Sequence, residues 1–271
     1  MRFGAWPLRL ASAGAVDPRL GETTAAALLG RHVRAATKLR ALLGASSYIV
    51  RVAIAFFDFD RTLIAANSGP LWVRTELRLG HLTRWQALRA ATWLAAYSVG
   101  FAGLDVAVER AIATLAGTRE RDLRERTQSF YRSQLSSLYR PGARRALEAH
   151  RQRRDKLVLL TSSSLYLSEL VASDLDLDDV LCTRFEVNPE GFYTGRVLGT
   201  LCFGVGKRIL AESFAERSNV TLGDCAFYTD SYADLPVLKA VGRPVAVNPD
   251  RRLRREARRR GWEVVDWGYP Q

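Results

Sequence analysis

Lysine is scarce in this 271-residue chain, with four lysines against thirty-six arginines. Almost every cationic position is filled by guanidinium, so Lys207, set between two polar segments, marks a place that calls for a compact ammonium. Cysteine is scarce too. Cys182, Cys202 and Cys225 form no Cys-x-x-Cys pair, which argues against a zinc ribbon and a disulfide framework and suggests a reducing compartment. His32, His81 and His150 lie at no ligand or triad spacing and are read as structural. Long hydrophobic runs are missing. The most apolar stretch, Ala90 to Leu104, carries no charge, but it is shorter than the ~20 residues of a spanning helix and is interrupted by Ser98, Gly100 and Gly103.

Acidic residues are depleted only locally. The formal net charge is +12, yet residues 1–51 supply +6 of it and the arginine cluster 251–260 another +6. The remainder is neutral. A body without basic bias argues against nucleic acid as a specific partner and leaves weak contact of the basic ends with a membrane surface or anionic polymer. Residues 1–50 are read as a basic leader without the hydrophobic core of a secretory signal. They are compatible with a transit peptide, with disorder, or with upstream sequence added by a misplaced start codon, the last being preferred.

What is present is a series of buried strands that end in polar residues. Val52 to Phe57 runs into Asp58-Phe59-Asp60-Arg61-Thr62. Such a run buries both faces, as in a parallel sheet, and its end reaches the carboxyl edge where ligands bind in open α/β folds. Two carboxylates at i, i+2 leave the strand on one side, and they repel unless a cation or a shared proton relieves them. Asp58 and Asp60 thus read as a nucleophile and acid/base pair or as a hard-metal site. Lys156 to Leu160 leads to Thr161-Ser162-Ser163-Ser164, Cys225 to Tyr228 leads to Thr229-Asp230-Ser231 with Asp234 following, and Pro244 to Val247 leads to Asn248-Pro249-Asp250.

These residue types, in this order, resemble the haloacid dehalogenase-like (HAD) superfamily of phosphohydrolases, from about Val52 to Trp267. The motifs are Asp58-x-Asp60-x-Thr62, Thr161, Lys207 and Asp230-Ser231-x-x-Asp234, and the segments AFFDFDRTLIAANSG, CFGVGK and DSYADLPVL are similar to the phosphoserine phosphatase-like subfamily IB. The resemblance implies an α/β, Rossmann-like core with a parallel sheet and an inserted C1 helical cap. It implies Asp58 as nucleophile forming an aspartyl-phosphate and Asp60 as general acid/base. Mg²⁺ would be held by Asp58, the Asp60 carbonyl and Asp230. Thr161, the Ser162 amide and Lys207 would bind phosphate, with Thr62 and Asp234 in support. An acid/base at Asp60, where the superfamily's transport ATPases carry Thr, favours a hydrolase.

The core is expected over 51–69 and 155–271 and the cap over 70–154, where Leu71, Leu77, Leu82, Leu88 and Trp93 follow helical periodicity. A cap of this kind excludes water and selects the leaving group. Ala90 to Leu104 is read as its core; a greasy entrance for a lipid-like phosphomonoester, or a helix on the membrane surface, is the sharper reading. A hairpin is expected around Asn188-Pro189-Glu190-Gly191. In phosphoserine phosphatase a Glu some nine residues beyond the nucleophile helps to bind the amino acid, whereas Asn67-Ser68 stands here. The expected function is hydrolysis of a small phosphomonoester, phosphoserine or another phosphorylated alcohol, by a cytoplasmic enzyme. Alternatives are a phosphotransferase with the same chemistry, a lysophospholipid-type phosphatase, and a phosphate-ester or nucleic-acid binding module.

Overall fold

The computed structural model describes residues 53–85, 88 and 112–270. The leader at 1–50 and the apolar stretch Ala90 to Leu104, with Trp93, lie outside the described residues. Eight described strands divide into two sheets. β1 (Ile54–Phe57), β2 (Lys156–Ser164), β3 (Asp179–Thr183), β6 (Cys225–Thr229), β7 (Arg243–Val247) and β8 (Glu263–Val265) form a six-stranded sheet in the order β3-β2-β1-β6-β7-β8. Every pairing in it is parallel. β4 (Phe185–Val187) and β5 (Tyr193–Val197) form the antiparallel hairpin, closed by Asn188, whose Oδ1 accepts the Phe192 amide.

Strand alternation sorts the core into two layers. Ala55, Phe57, Leu157, Leu159 and Tyr228 face one side, while Ile54, Phe56, Val158, Leu160 and Phe227 face the other. Helices cover both faces, as a parallel sheet requires. On the first side lie α3 (Pro141–Gln152) and α4 (Leu165–Leu175), through Ala143, Leu147, Leu167 and Val171. On the second lie α5 (Val205–Arg217) and α7 (Arg251–Arg260), through Ala211, Phe214, Leu253 and Ala257, with the short α6 (Leu235–Leu238) between them. The arginine cluster is therefore a solvated face on a helix with two buried anchors, and Glu256 pairs with Arg259 and Arg260.

Two further helices, α1 (Ser68–Arg78) and α2 (Glu120–Phe130), belong to the segment inserted after β1. Its outgoing and returning strands pair at Ile64 and Tyr139. The chain re-enters the sheet's helical layer at Pro141, inside the range 70–154 read from sequence as the insert. Helical periodicity does not separate a helix packed on a sheet from one packed on another helix.

A latch closes this crossing point. Arg140 is buried and donates from Nε to the Arg61 carbonyl and from Nη1 to the Gly268 carbonyl. Gly142 donates its amide to Trp267 O, and a side chain at 142 would collide with the Trp267 ring. Among the described residues no helix is long and apolar enough to cross a membrane. The three cysteines are free and buried.

Candidate functional site

β1 ends at Phe57 and delivers Asp58 to the carboxyl edge of the sheet, and the chain then makes a wide turn over Phe59–Leu63. Arg61 takes φ 57°, a left-handed conformation that costs a non-glycine residue about 1 kcal/mol. Its amide donates to Ala66 O, which closes the turn and brings α1 over the strand end. The start of α1 then serves the site. The Ser68 amide donates to Asp60 Oδ1 at 2.6 Å and the Ser68 hydroxyl to Oδ2 at 3.0 Å.

Asp58 is 6% exposed and Lys207 3%. Lys207 Nζ donates to Asp58 Oδ1 at 2.7 Å and to Asp234 Oδ2 at 2.9 Å. α5 carries this lysine in its first turn, because Gly206 lets the helix start against the Leu201 carbonyl, where a Cβ would clash. Thr229, the last residue of β6, donates to Asp234 Oδ2 at 2.7 Å. Thr62 accepts the Asp230 amide at 3.0 Å and lies 3.5 Å from Asp58 Oδ2, tying the turn after β1 to the turn after β6.

Burial dominates the electrostatics. It pushes Asp58 up to about 7, against the pull of Lys207, with Asp234 adding repulsion. It also raises Asp60, opposed by the two Ser68 hydrogen bonds. Asp230 is held well above the usual carboxylate range, first by burial and then by repulsion from Asp58 and Asp234. Three carboxylates with raised affinity for a proton, two of them buried, beside one lysine make a place where a second cation is favoured. Among the described residues no group of three or more His, Cys, Asp or Glu side chains converges on a metal position. A cation here would take two carboxylates and main-chain oxygen.

A cavity of about 920 Å³ opens over this edge, lined by Asp58, Asp60, Ser162, Lys207, Asp230 and Asp234 at one end. Thr161 departs from that set. It is 1% exposed, is not among the lining residues, and its hydroxyl accepts the Ser163 amide. It therefore shapes the irregular end of β2 that presents Ser162 to the cavity. The opposite wall is apolar, with Trp72 from α1, Leu123 and Phe130 from α2, Leu167 from α4, and Phe185 and Phe203. Trp72 meets Phe130 edge-on, ring centroids 5.2 Å apart. Ser68 drew attention in the sequence only as part of Asn67-Ser68, in place of a substrate-binding Glu, and Trp72 only as an aromatic suited to an interface or a core; the contacts of Ser68 with Asp60 and the place of Phe203 in the wall were not foreseen. A polar residue at a helix start directly after the Asp-x-Asp turn was the available signal for Ser68; the aromatic wall joins elements distant in sequence and left none.

A family model for haloacid dehalogenase-like hydrolases matches residues 55–239. A phosphoserine phosphatase of Mycobacterium tuberculosis is 32% identical over 219 residues, which cover 79% of this chain and 71% of that one. A histidinol-phosphatase of Neisseria meningitidis is 28% identical over 218 residues, 79% of this chain and 98% of that one. Among solved structures, a protein of unknown function from Bordetella pertussis matches with a TM-score of 0.72 at 29% identity, covering 79% of this chain and 98% of that one. A phosphoserine phosphatase solved as a phospho-aspartyl intermediate analogue shares the fold, with a TM-score of 0.61 at 15% identity over 81% and 95% of the two chains. With its parallel sheet, the insert after β1 and a family match over most of its length, the chain belongs to the haloacid dehalogenase-like hydrolases and is an enzyme of their phosphatase kind.

Proposed function

We propose that this chain is a Mg²⁺-dependent phosphomonoesterase that works through a phosphoaspartate on Asp58. The observation that carries the proposal is the buried Asp58–Lys207–Asp234 chain of contacts at 2.7 and 2.9 Å, with Asp60 in the same cavity. An Asp58 carboxylate oxygen attacks phosphorus and the bond to the leaving oxygen breaks. Asp60, whose affinity for a proton is raised by burial, gives its proton to the departing alkoxide. It then takes a proton from the water that attacks phosphorus, and the Asp58–phosphorus bond breaks to release inorganic phosphate. Ser68 keeps the Asp60 carboxyl in one orientation through both steps, leaving each oxygen a second lone pair. Lys207 lies against the nucleophile from the outset and passes to the phosphoryl oxygens as charge develops on them. Ser162 offers its amide on the same side.

The Asp58 carboxylate, the Asp60 carbonyl and Asp230 would hold Mg²⁺; when bound, the ion relieves repulsion among the carboxylates and adds positive charge at the phosphoryl group. A small phosphorylated alcohol is the proposed substrate, with the apolar wall as the surface that meets its leaving group. A cytoplasmic setting is proposed alongside, supported by the three free, buried thiols. The test is phosphate release from a panel of phosphomonoesters with Mg²⁺, comparing wild type with Asp58→Asn. Release that needs both the metal and Asp58 is expected. Equal release by the variant would refute Asp58 as nucleophile.

A further inference from the structure

The cavity has two chemically distinct ends, and the second one speaks to the substrate. Five carboxylates line it among the described residues: Asp58, Asp60, Asp230, Asp234 and Asp250. The first four stand at the phosphoryl end. Asp58 and Asp234 share Lys207, Asp60 receives both donors of Ser68, and Asp230 sits close enough to Asp58 and Asp234 to be repelled by both. Asp250 is consumed as the cap of α7. Its Oδ1 accepts the amides of Arg252 and Leu253, and its Oδ2 accepts the Tyr232 amide.

The acids of the neighbouring helices are turned to other work. Glu76 is paired with Arg126 at 2.5 Å and with His81, and Glu120 accepts from Tyr166; neither lines the cavity. Asn67 does line it, but it is neutral and its Oδ1 caps α1 through the Gly69 amide. Among the described residues, the other charged side chains that line the cavity are cationic, Lys207 at the phosphoryl end and Arg61, Arg251 and Arg252, with the Arg252 guanidinium 4.4 Å above the Tyr232 ring. Among the described residues, a leaving group bearing an ammonium would thus meet hydrocarbon, guanidinium and neutral hydroxyls such as those of Thr127 and Ser163, but no carboxylate left over from another role, so its desolvation cost is offset only in part.

We infer that the preferred substrate is the phosphomonoester of an apolar alcohol or phenol whose leaving group carries no ammonium, selected by the Trp72–Phe130–Phe203 wall. This rests on the phosphomonoesterase reading above. It sets this chain apart from the amino-bearing substrates named in its two phosphatase relatives.

An isosteric pair isolates the point: n-propyl phosphate and O-phosphoethanolamine differ by a methyl in place of an ammonium. With the full chain and Mg²⁺, kcat/KM is expected to be about tenfold or more higher for n-propyl phosphate. Asn67→Asp keeps a good helix cap and sets a carboxylate in the cavity, so it is expected to shift the ratio several-fold towards O-phosphoethanolamine. Any harm from the new charge to phosphate binding falls on both compounds and cancels in the ratio. Wild-type preference for O-phosphoethanolamine, or a ratio that Asn67→Asp does not move, would overturn the inference and leave the phosphomonoesterase intact. Absence of Mg²⁺-dependent release from either compound and from p-nitrophenyl phosphate would sink both.

Discussion

Lys207→Met removes the one lysine at the site while keeping most of its volume, so the packing change is small and the electrostatic change dominates. Nζ stands 2.7 Å from Asp58 and 2.9 Å from Asp234. At an effective dielectric of ~20 each contact is worth about 6 kcal/mol gross, most of which offsets the desolvation of the three charges. Removing one partner strands the other two, and broken buried pairs cost about 3–5 kcal/mol. For a folded body spanning residues 50–271, that corresponds to a melting temperature about 6–20 °C lower.

Protonation limits the damage. Asp58 already sits at about 7, and without Lys207 it rises further, so at low pH the stranded carboxylate becomes a neutral acid. A carboxyl whose folded value is raised contributes stability that is present below its unfolded value of 3.8 and lost as pH rises through the folded value. The deficit of Lys207→Met should therefore be larger at pH 8 than at pH 5. Thermal unfolding in EDTA at both pH values measures it, and Asp234→Asn in the Lys207→Met background should restore part of the loss. A melting temperature within about 2 °C of wild type, or a deficit equal at the two pH values, would refute the reasoning.

Asp60→Asn should retain the fold, since one oxygen still accepts from Ser68, and lower kcat by about 10²- to 10⁴-fold; stopped or steady-state phosphate release with a melting curve as control checks both halves. Gly206→Ala pushes the start of α5 off the Leu201 carbonyl and should cost about 1–3 kcal/mol together with activity, because Lys207 is the next residue. A Gly206→Ala protein with wild-type melting and turnover would contradict the clash. Burial lowers the proton affinity of His150 from its ordinary 6.5, so its share of stability is present above pH 6.5 and lost as pH falls below it. Urea unfolding from pH 7.5 to 5 should show this slope, and His150→Gln should flatten it.

The parallel sheet was legible because each strand reads as an apolar run ending in a polar residue, a pattern that one buried layer and one shared edge produce. Asp58, Asp60 and Asp230 converge for the same reason, since the turns after β1 and β6 leave one edge side by side, and Lys207, from the first turn of α5, and Asp234, just beyond β6, reach that edge. Other features follow from contacts between distant segments. α3 reads as a helix, but its place on the sheet depends on Phe57, Leu147 and Tyr228 meeting across some 170 residues. Thr161 looks like its serine neighbours, yet its hydroxyl turns back to the Ser163 amide. The aromatic wall combines Trp72, Phe130 and Phe203, and no local period joins them. Equally illegible was the commitment of Asp250 to a helix cap and of Glu76 to Arg126, on which the polarity of the leaving-group end depends.

The Arg140 latch has a consequence for the order in which the molecule is made. Arg140 holds the carbonyl of Arg61, in the turn that follows the nucleophile, and the carbonyl of Gly268 in one grip. Trp267, against which Gly142 rests, lies tilted against Tyr228, ring centroids 5.5 Å apart. On a ribosome releasing residues one at a time, the strand with Asp58 emerges before the partners of its turn, Arg140 some 80 residues later and Gly268, which fixes Arg140 in turn, some 200 residues later. Loop closure over that span is slow. The nascent enzyme would thus carry its reactive aspartates without the geometry to use them until the segment around Trp267 and Gly268 docks.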